Sequence, residues 1–159
     1  MALGVGLGRA GKMSMVDGFY VQCPYISNAY EPASPEFPSL AENDAVASLQ
    51  GAGVAGQHAV SLLVTRGEEA DAKNPLAWPF WASAEDLTGF APTVVSVNEC
   101  DVLRDEGLAF YRKLKAVGVP GYARTVIGTL HGSETYLPQL SPYSTAASVA
   151  DIASFARSL

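Results

Sequence analysis

The clearest pattern along the chain lies in its second half, where polar and apolar residues separate into regular blocks. Thr93 to Val97, inside "APTVVSV", is a short apolar run of the kind buried on both faces of a parallel sheet. It ends on the acidic stretch "NECDVLRDEG". From Asp105 to Val117 apolar residues recur at helical spacing, with Leu108, Tyr111 and Leu114 on one side, and the pattern stops near Gly118 and Pro120. Tyr122 to Leu130 reads as a second strand ending at His131. Val149, Ile152, Phe155 and Leu159 again recur at helical spacing, which predicts an amphipathic terminal helix packed on something. Strand, helix, strand, helix at this spacing is a βαβα unit. It predicts an α/β fold with a parallel sheet and helices on its faces.

The first half is less regular. Met1 to Ala10 opens as a helix without a cap residue, and glycines stand at 4, 6 and 8. Val16 to Ser27 is β-branched and aromatic, bounded by Asp-Gly and Pro, so it predicts a strand leading into a loop. Asn28 to Asn43 contains Pro32, Pro35 and Pro38 and reads as a loop. Asp44 to Arg66 is helix-like, with Asp44 as a local cap and glycines at 51, 53 and 56 as interruptions. A second long connection, Glu68 to Phe90, carries Trp78, Phe80 and Trp81.

Composition narrows the classes. A chain of 159 residues with 48% hydrophobic and 16% charged residues is globular, and one domain over residues 1–159 is expected. The net charge is −6, with 10 Lys plus Arg and no run of them, which argues against a nucleic-acid surface. Cys23 and Cys100 read as buried thiols, and no spacing of Cys and His suggests zinc. No segment approaches the roughly 18 apolar residues of a membrane span, and no secretory leader is evident. The expectation is a cytoplasmic protein with no metal and no cofactor.

In open α/β sheets chemistry collects beyond the carboxyl ends of strands. Asp101 and His131 each follow a predicted strand of one βαβ unit, so they should meet at one edge of the sheet. A carboxylate beside an imidazole fixes its tautomer and stabilises the imidazolium, as a general base requires. An Asp after a strand is equally often the N-cap of the next helix. Asp105 suits that task better, with Glu106 adding charge that favours the helix dipole, and this leaves Asp101 for another role. His58, in a helical pattern beside Ala59 and Val60, reads as a packing or surface residue, and Glu134 reads as solvated.

The residues also carry a resemblance. "PTVVSVNECDVLRDEGLAFYRKLKAVGV" followed by "LHG" resembles the C-terminal part of hormone-sensitive-lipase-like α/β-hydrolases, with their apolar strand, D-x-L-x-D-E-G, helix, strand and H-G. "DGFYVQCPYIS" and "AYEPASPEFPSLAEND" are similar to bacterial carboxylesterases of the brefeldin A esterase type. The resemblance implies the last strands of an α/β-hydrolase sheet, Asp101 as triad acid, His131 as triad base, and a small-molecule ester as substrate. It also implies that Tyr25, Tyr30 and Trp81 line an apolar substrate pocket, with Phe37 and Trp78 beside them. Val102 stands where proline is common, and Ser133 where an apolar residue often follows His-Gly.

The family needs G-x-S-x-G for its nucleophile and an H-G-G-G-like oxyanion loop, and neither is found here. The family order of Ser, Asp, His puts both upstream of Met1. One expectation is therefore a chain that supplies acid and base but not the serine, and that self-associates or pairs with the missing N-terminal half. Alternatives are a catalytically inactive binding or interaction module, or a receptor-like relative, against which the retained His131 argues.

Overall fold

The structure is a computed structural model and describes residues 16–30, 34–48 and 73–159. In chain order the elements are strand β1 (Phe19–Gln22), helix α1 (Ser39–Ser48), a 3-10 turn (Pro79–Trp81), helix α2 (Ala84–Leu87), strand β2 (Thr93–Asn98), helix α3 (Arg104–Ala116), strand β3 (Gly121–Val126), helix α4 (Ser133–Tyr136) and helix α5 (Pro142–Ser158). The three strands form one sheet in the order β1-β2-β3, and both pairings are parallel. All six residues of β2 are buried, as the apolar run predicts for a strand with neighbours on both sides.

The register aligns Tyr20 with Val94 and Val94 with Tyr122, and aligns Gln22 with Ser96 and Ser96 with Arg124. Side chains alternate across the sheet, so these residues share one face. Helix α5 lies over it: Asp151 accepts hydrogen bonds from the Tyr20 and Tyr122 hydroxyls and from Arg124. Phe19, Val95 and Val97 point to the other face, where α3 packs. Gly107 makes that packing close, because a Cβ there would sit 2.7 Å from Val97 Cγ1 and 3.0 Å from Pro24 Cγ. The glycine of "RDEG" is thus a contact point between helix and strand. At the far end of the sheet, Gly121 has φ +142, and a Cβ on it would stand 1.8 Å from the Thr93 carbonyl oxygen.

Several elements differ from the expectation. β1 is shorter than Val16 to Ser27, because Cys23 takes a positive φ of 45 and Pro24 has no N–H to continue the ladder. β3 ends at Val126, before the turn that reaches His131. The buried side of α3 is Glu106, Gly107, Phe110 and Leu114; Leu108 and Tyr111 are only half-buried. The last helix meets the sheet through Ser148, Asp151 and Phe155, while Val149 and Ile152 are exposed. α1 starts at Ser39, within the stretch read as loop, and Asp44 lies inside it and is not its cap. Its first amide is held by a carboxylate from elsewhere: Ser39 N–H donates to Asp105 Oδ2 at 2.7 Å. The expected helices at Met1 to Ala10 and beyond Ser48, and His58, lie outside the described residues. No helix among the described residues is long and apolar enough to cross a membrane.

Candidate active site

β2 and β3 are adjacent and parallel, so the turns after them open at the same edge of the sheet. Asp101 follows β2 and is fully buried; His131 follows β3, with 26% of its side chain exposed. Asp101 Oδ2 and His131 Nδ1 are 2.9 Å apart, although 30 residues separate them in sequence. The second oxygen, Oδ1, accepts from the Leu103 N–H at 3.0 Å. Asn43 steadies the loop from below by donating to the carbonyls of Glu99 and Asp101. The hydrogen bond to Asp101 holds the His131 imidazole above its ordinary pKa, with burial working in the opposite direction. This is an imidazole with Nδ1 engaged and Nε2 available as a base.

The division of labour between the carboxylates differs from the expectation. The first residue before α3 is Leu103, which offers no capping side chain, and Asp105 lies within the first turn. Asp105 instead pairs with Arg104 Nε at 3.0 Å and accepts from Ser39. Asp101 serves both purposes, holding the Leu103 amide with one oxygen and His131 with the other.

Two acidic residues are buried, where Glu134 was expected to be solvated and Glu106 to add charge favouring the helix dipole. Glu134 is 4% exposed and accepts from Asn98 Nδ2 and Ser148 Oγ, with Arg124 Nη2 4.0 Å away. Glu106 is 1% exposed, accepting from the Ile26 amide at 3.3 Å and the Tyr30 hydroxyl at 3.2 Å. Burial pushes the Glu106 carboxyl from 4.5 up to about 8, against these hydrogen bonds. Because the folded value lies above the unfolded one, its contribution to stability is complete below about pH 4.5 and is lost as pH rises towards about 8. Unfolding midpoints measured between pH 5 and pH 9 should therefore fall in the native chain, by the equivalent of a few kcal/mol at most. Glu106→Gln should flatten that part of the profile. Equal slopes in the two proteins would show that Glu106 does not titrate there.

The aromatic residues expected in a pocket fall into two groups. Tyr30, Phe37 and Trp78 are each 1% exposed and belong to the core. Tyr25 stacks on Tyr30 with ring centres 4.7 Å apart and is only partly buried. Trp81 is likewise partly buried, and its indole N–H donates to the Ser27 carbonyl. Tyr25 and Trp81 are thus the partly exposed members, Tyr25 backed by Tyr30 and Trp81 by Phe80.

Cys23 and Cys100 are free thiols, Cys23 buried and Cys100 half-buried. The Cys23 thiol, the Asp101 carboxylate and the His131 imidazole bring three potential metal donors within 4.8 Å of one another, a cluster that the sequence spacing did not reveal. The thiol donates to Asn98 Oδ1, which ties it to the end of β2, and burial raises its pKa.

Comparison with known proteins follows the same outline. A family model described as the alpha/beta hydrolase fold matches residues 6–135. The structure of brefeldin A esterase, a bacterial homologue of human hormone-sensitive lipase, superposes with a TM-score of 0.88 at 37% identity, covering 98% of this chain and 43% of that one. The structure of esterase Est22 gives a TM-score of 0.76 at 35% identity, covering 98% and 44%. Lipase 2 of Moraxella sp. (strain TA144) is 45% identical over 47 residues, which are 30% of this chain and 11% of the lipase. The chain therefore spans less than half the length of these relatives.

Proposed function

Because the chain belongs to the α/β-hydrolase fold family, in the esterase- and lipase-like part of it, we propose that it supplies the acid and base of a Ser-His-Asp carboxylesterase. The observation that carries this reading is the 2.9 Å contact between buried Asp101 and His131 at the carboxyl edge of the sheet. The serine and the oxyanion donors would come from polypeptide carrying the rest of the fold. His131 Nε2 takes the serine proton as the hydroxyl attacks the ester carbonyl, then returns it to the departing alkoxide. Water, deprotonated by the same nitrogen, releases the acid and regenerates the serine. Asp101 keeps Nδ1 protonated and stabilises the imidazolium. Tyr25 and Trp81 would form part of an apolar wall for a small-molecule ester, and no cofactor or metal enters the scheme.

The chain alone should not hydrolyse a short-chain p-nitrophenyl ester above background, since the covalent route needs a nucleophile. Mixed or fused with a serine-bearing N-terminal half of a related esterase, it should give turnover that a serine-directed inhibitor abolishes. Turnover by the purified chain alone, lost in His131→Ala, would point to an unrecognised nucleophile. A well-folded reconstituted enzyme without activity would favour an inactive binding module.

The same reading predicts association. Among the described residues β1, of sequence "FYVQ", pairs only with β2, and no described strand lies along its other side. Such an edge recruits another strand. Light scattering after size-exclusion chromatography should show dimers or larger species, or capture of the missing half. A monodisperse 16.7 kDa monomer with a cooperative thermal transition would overturn this expectation.

A further inference from the structure

β2 ends on Asn98, whose side chain is fully buried. Its Nδ2 donates to Thr129 Oγ1 at 2.6 Å and to Glu134 Oε2, and its Oδ1 accepts from the Cys23 thiol. Thr129 precedes His131 by two residues, and Glu134 follows it by three. One amide therefore grips the turn carrying the imidazole on both sides. The turn is also tied to the segment just past β2 by Cys100 N–H donating to the Thr129 carbonyl at 3.0 Å. Glu134 in turn is anchored by Ser148 Oγ at 3.2 Å and by Arg124, which also bonds Ser96 and Asp151.

A single-turn helix such as α4 gains nothing from a buried carboxylate in its first turn that an exposed one could not give. Burying it costs free energy unless its partners are fixed. The position of those partners, directly beneath the His131 turn, gives that cost a purpose. We propose that Asn98 and Glu134 are positioning residues for His131, fixing residues 129–134 so that Nδ1 meets Asp101. The proposal rests on the reading of Asp101 and His131 as acid and base. It extends that reading to two residues that touch no substrate.

The test is an NMR titration of the full chain labelled at histidine, which needs no ester turnover. A chain that proves inactive with a serine-bearing partner leaves this readout intact. The two histidines, His58 and His131, are told apart with His131→Ala. In the native chain His131 should titrate above the ordinary imidazole range and show a downfield Nδ1 proton. Glu134→Ala should lower its midpoint by about one pH unit, a tenfold loss of proton affinity, and weaken that resonance. Glu134→Gln carries no charge and keeps one oxygen for Asn98 Nδ2, while its NH₂ turns to the Ser148 hydroxyl, which can accept; it should stay close to the native midpoint.

A Glu134→Ala chain that folds cooperatively with His131 unchanged would overturn the proposal. So would a Gln variant as perturbed as the Ala variant, since the effect would then be one of charge alone. If Glu134→Ala fails to fold, Thr129→Val removes a hydroxyl that accepts from Asn98 and donates to the Val126 carbonyl. A lowered His131 midpoint there supports the proposal, and an unchanged one overturns it.

Discussion

In an enzyme completed with a serine-bearing half, His131→Ala should remove almost the whole serine-dependent rate, on the order of 10⁶ in kcat, as for triad bases generally. Among the described residues, the thiol that clusters with this pair, Cys23, is ill suited to take over, because burial raises its pKa. Asp101→Asn should cost somewhat less, about 10⁴, because it leaves the geometry but selects the wrong tautomer. The reason is visible in the loop. The asparagine oxygen would stay on the Leu103 N–H, turning its NH₂ towards His131 Nδ1 and making that nitrogen an acceptor. Asp105→Ala should cost mainly stability and little rate, since its carboxylate points to α1. Kinetic constants for the three variants, with circular dichroism as the folding control, decide the matter. An Asp105→Ala enzyme as impaired in kcat as Asp101→Asn, while well folded, would reverse the assignment of the two carboxylates.

Gly121→Ala should be the most damaging single methyl in the described chain. The residue sits at φ +142, where side chains are rarely tolerated, and the added Cβ would fall 1.8 Å from the Thr93 carbonyl oxygen. That oxygen belongs to the backbone of the central strand and cannot swing aside. The clash lies at the first rung of the β2–β3 ladder, where Thr93 is aligned with Gly121. Displacing β3 there shifts the whole strand, and with it the turn that delivers His131. We expect Gly121→Ala to lose the cooperative thermal transition or to accumulate as insoluble protein, in contrast to Gly118→Ala, which bears only the strain of its φ of +79 and meets nothing within 4 Å. A soluble Gly121→Ala chain with a native melting profile would show that the two strands can separate at this rung without penalty.

What was legible in the sequence follows from how local the signal is. β2, α3 and α5 were readable because each carries its own periodicity or apolar run and is bounded by Gly or Pro. The meeting of Asp101 and His131 was readable from topology, since consecutive parallel strands open their carboxyl ends on one edge. Glu106 and Glu134 were missed because an acidic residue carries no mark of burial. What buries them is Tyr30 and Ile26 in one case, and Asn98 and Ser148 in the other, all distant in sequence. The spacing of Thr129, His131 and Glu134 around a buried strand-end Asn98 was present in the sequence, but only the register of β2 and β3 gives it meaning. The start of α1 was missed for a similar reason: its first turn is proline-flanked, and the group that satisfies it lies 66 residues away.

That distant group gives α1 an unusual dependence. Ser39 N–H donates to Asp105 Oδ2, and in return Asp105 N–H donates to Ser39 Oγ at 3.1 Å, while the same hydroxyl donates to the Val102 carbonyl at 2.8 Å. The reciprocal bonding resembles a capping box, but its two halves belong to different helices. Neither helix start is complete until the other is in place. A peptide covering α1 alone would lack its N-terminal acceptor and should show little helix in water. In native-state hydrogen exchange the opening amides of α1 and α3 should be released together, as one cooperative unit with the loop that carries Asp101. Asp101, the proposed acid, thus sits in a segment whose opening is governed by two helix starts rather than by the loop itself.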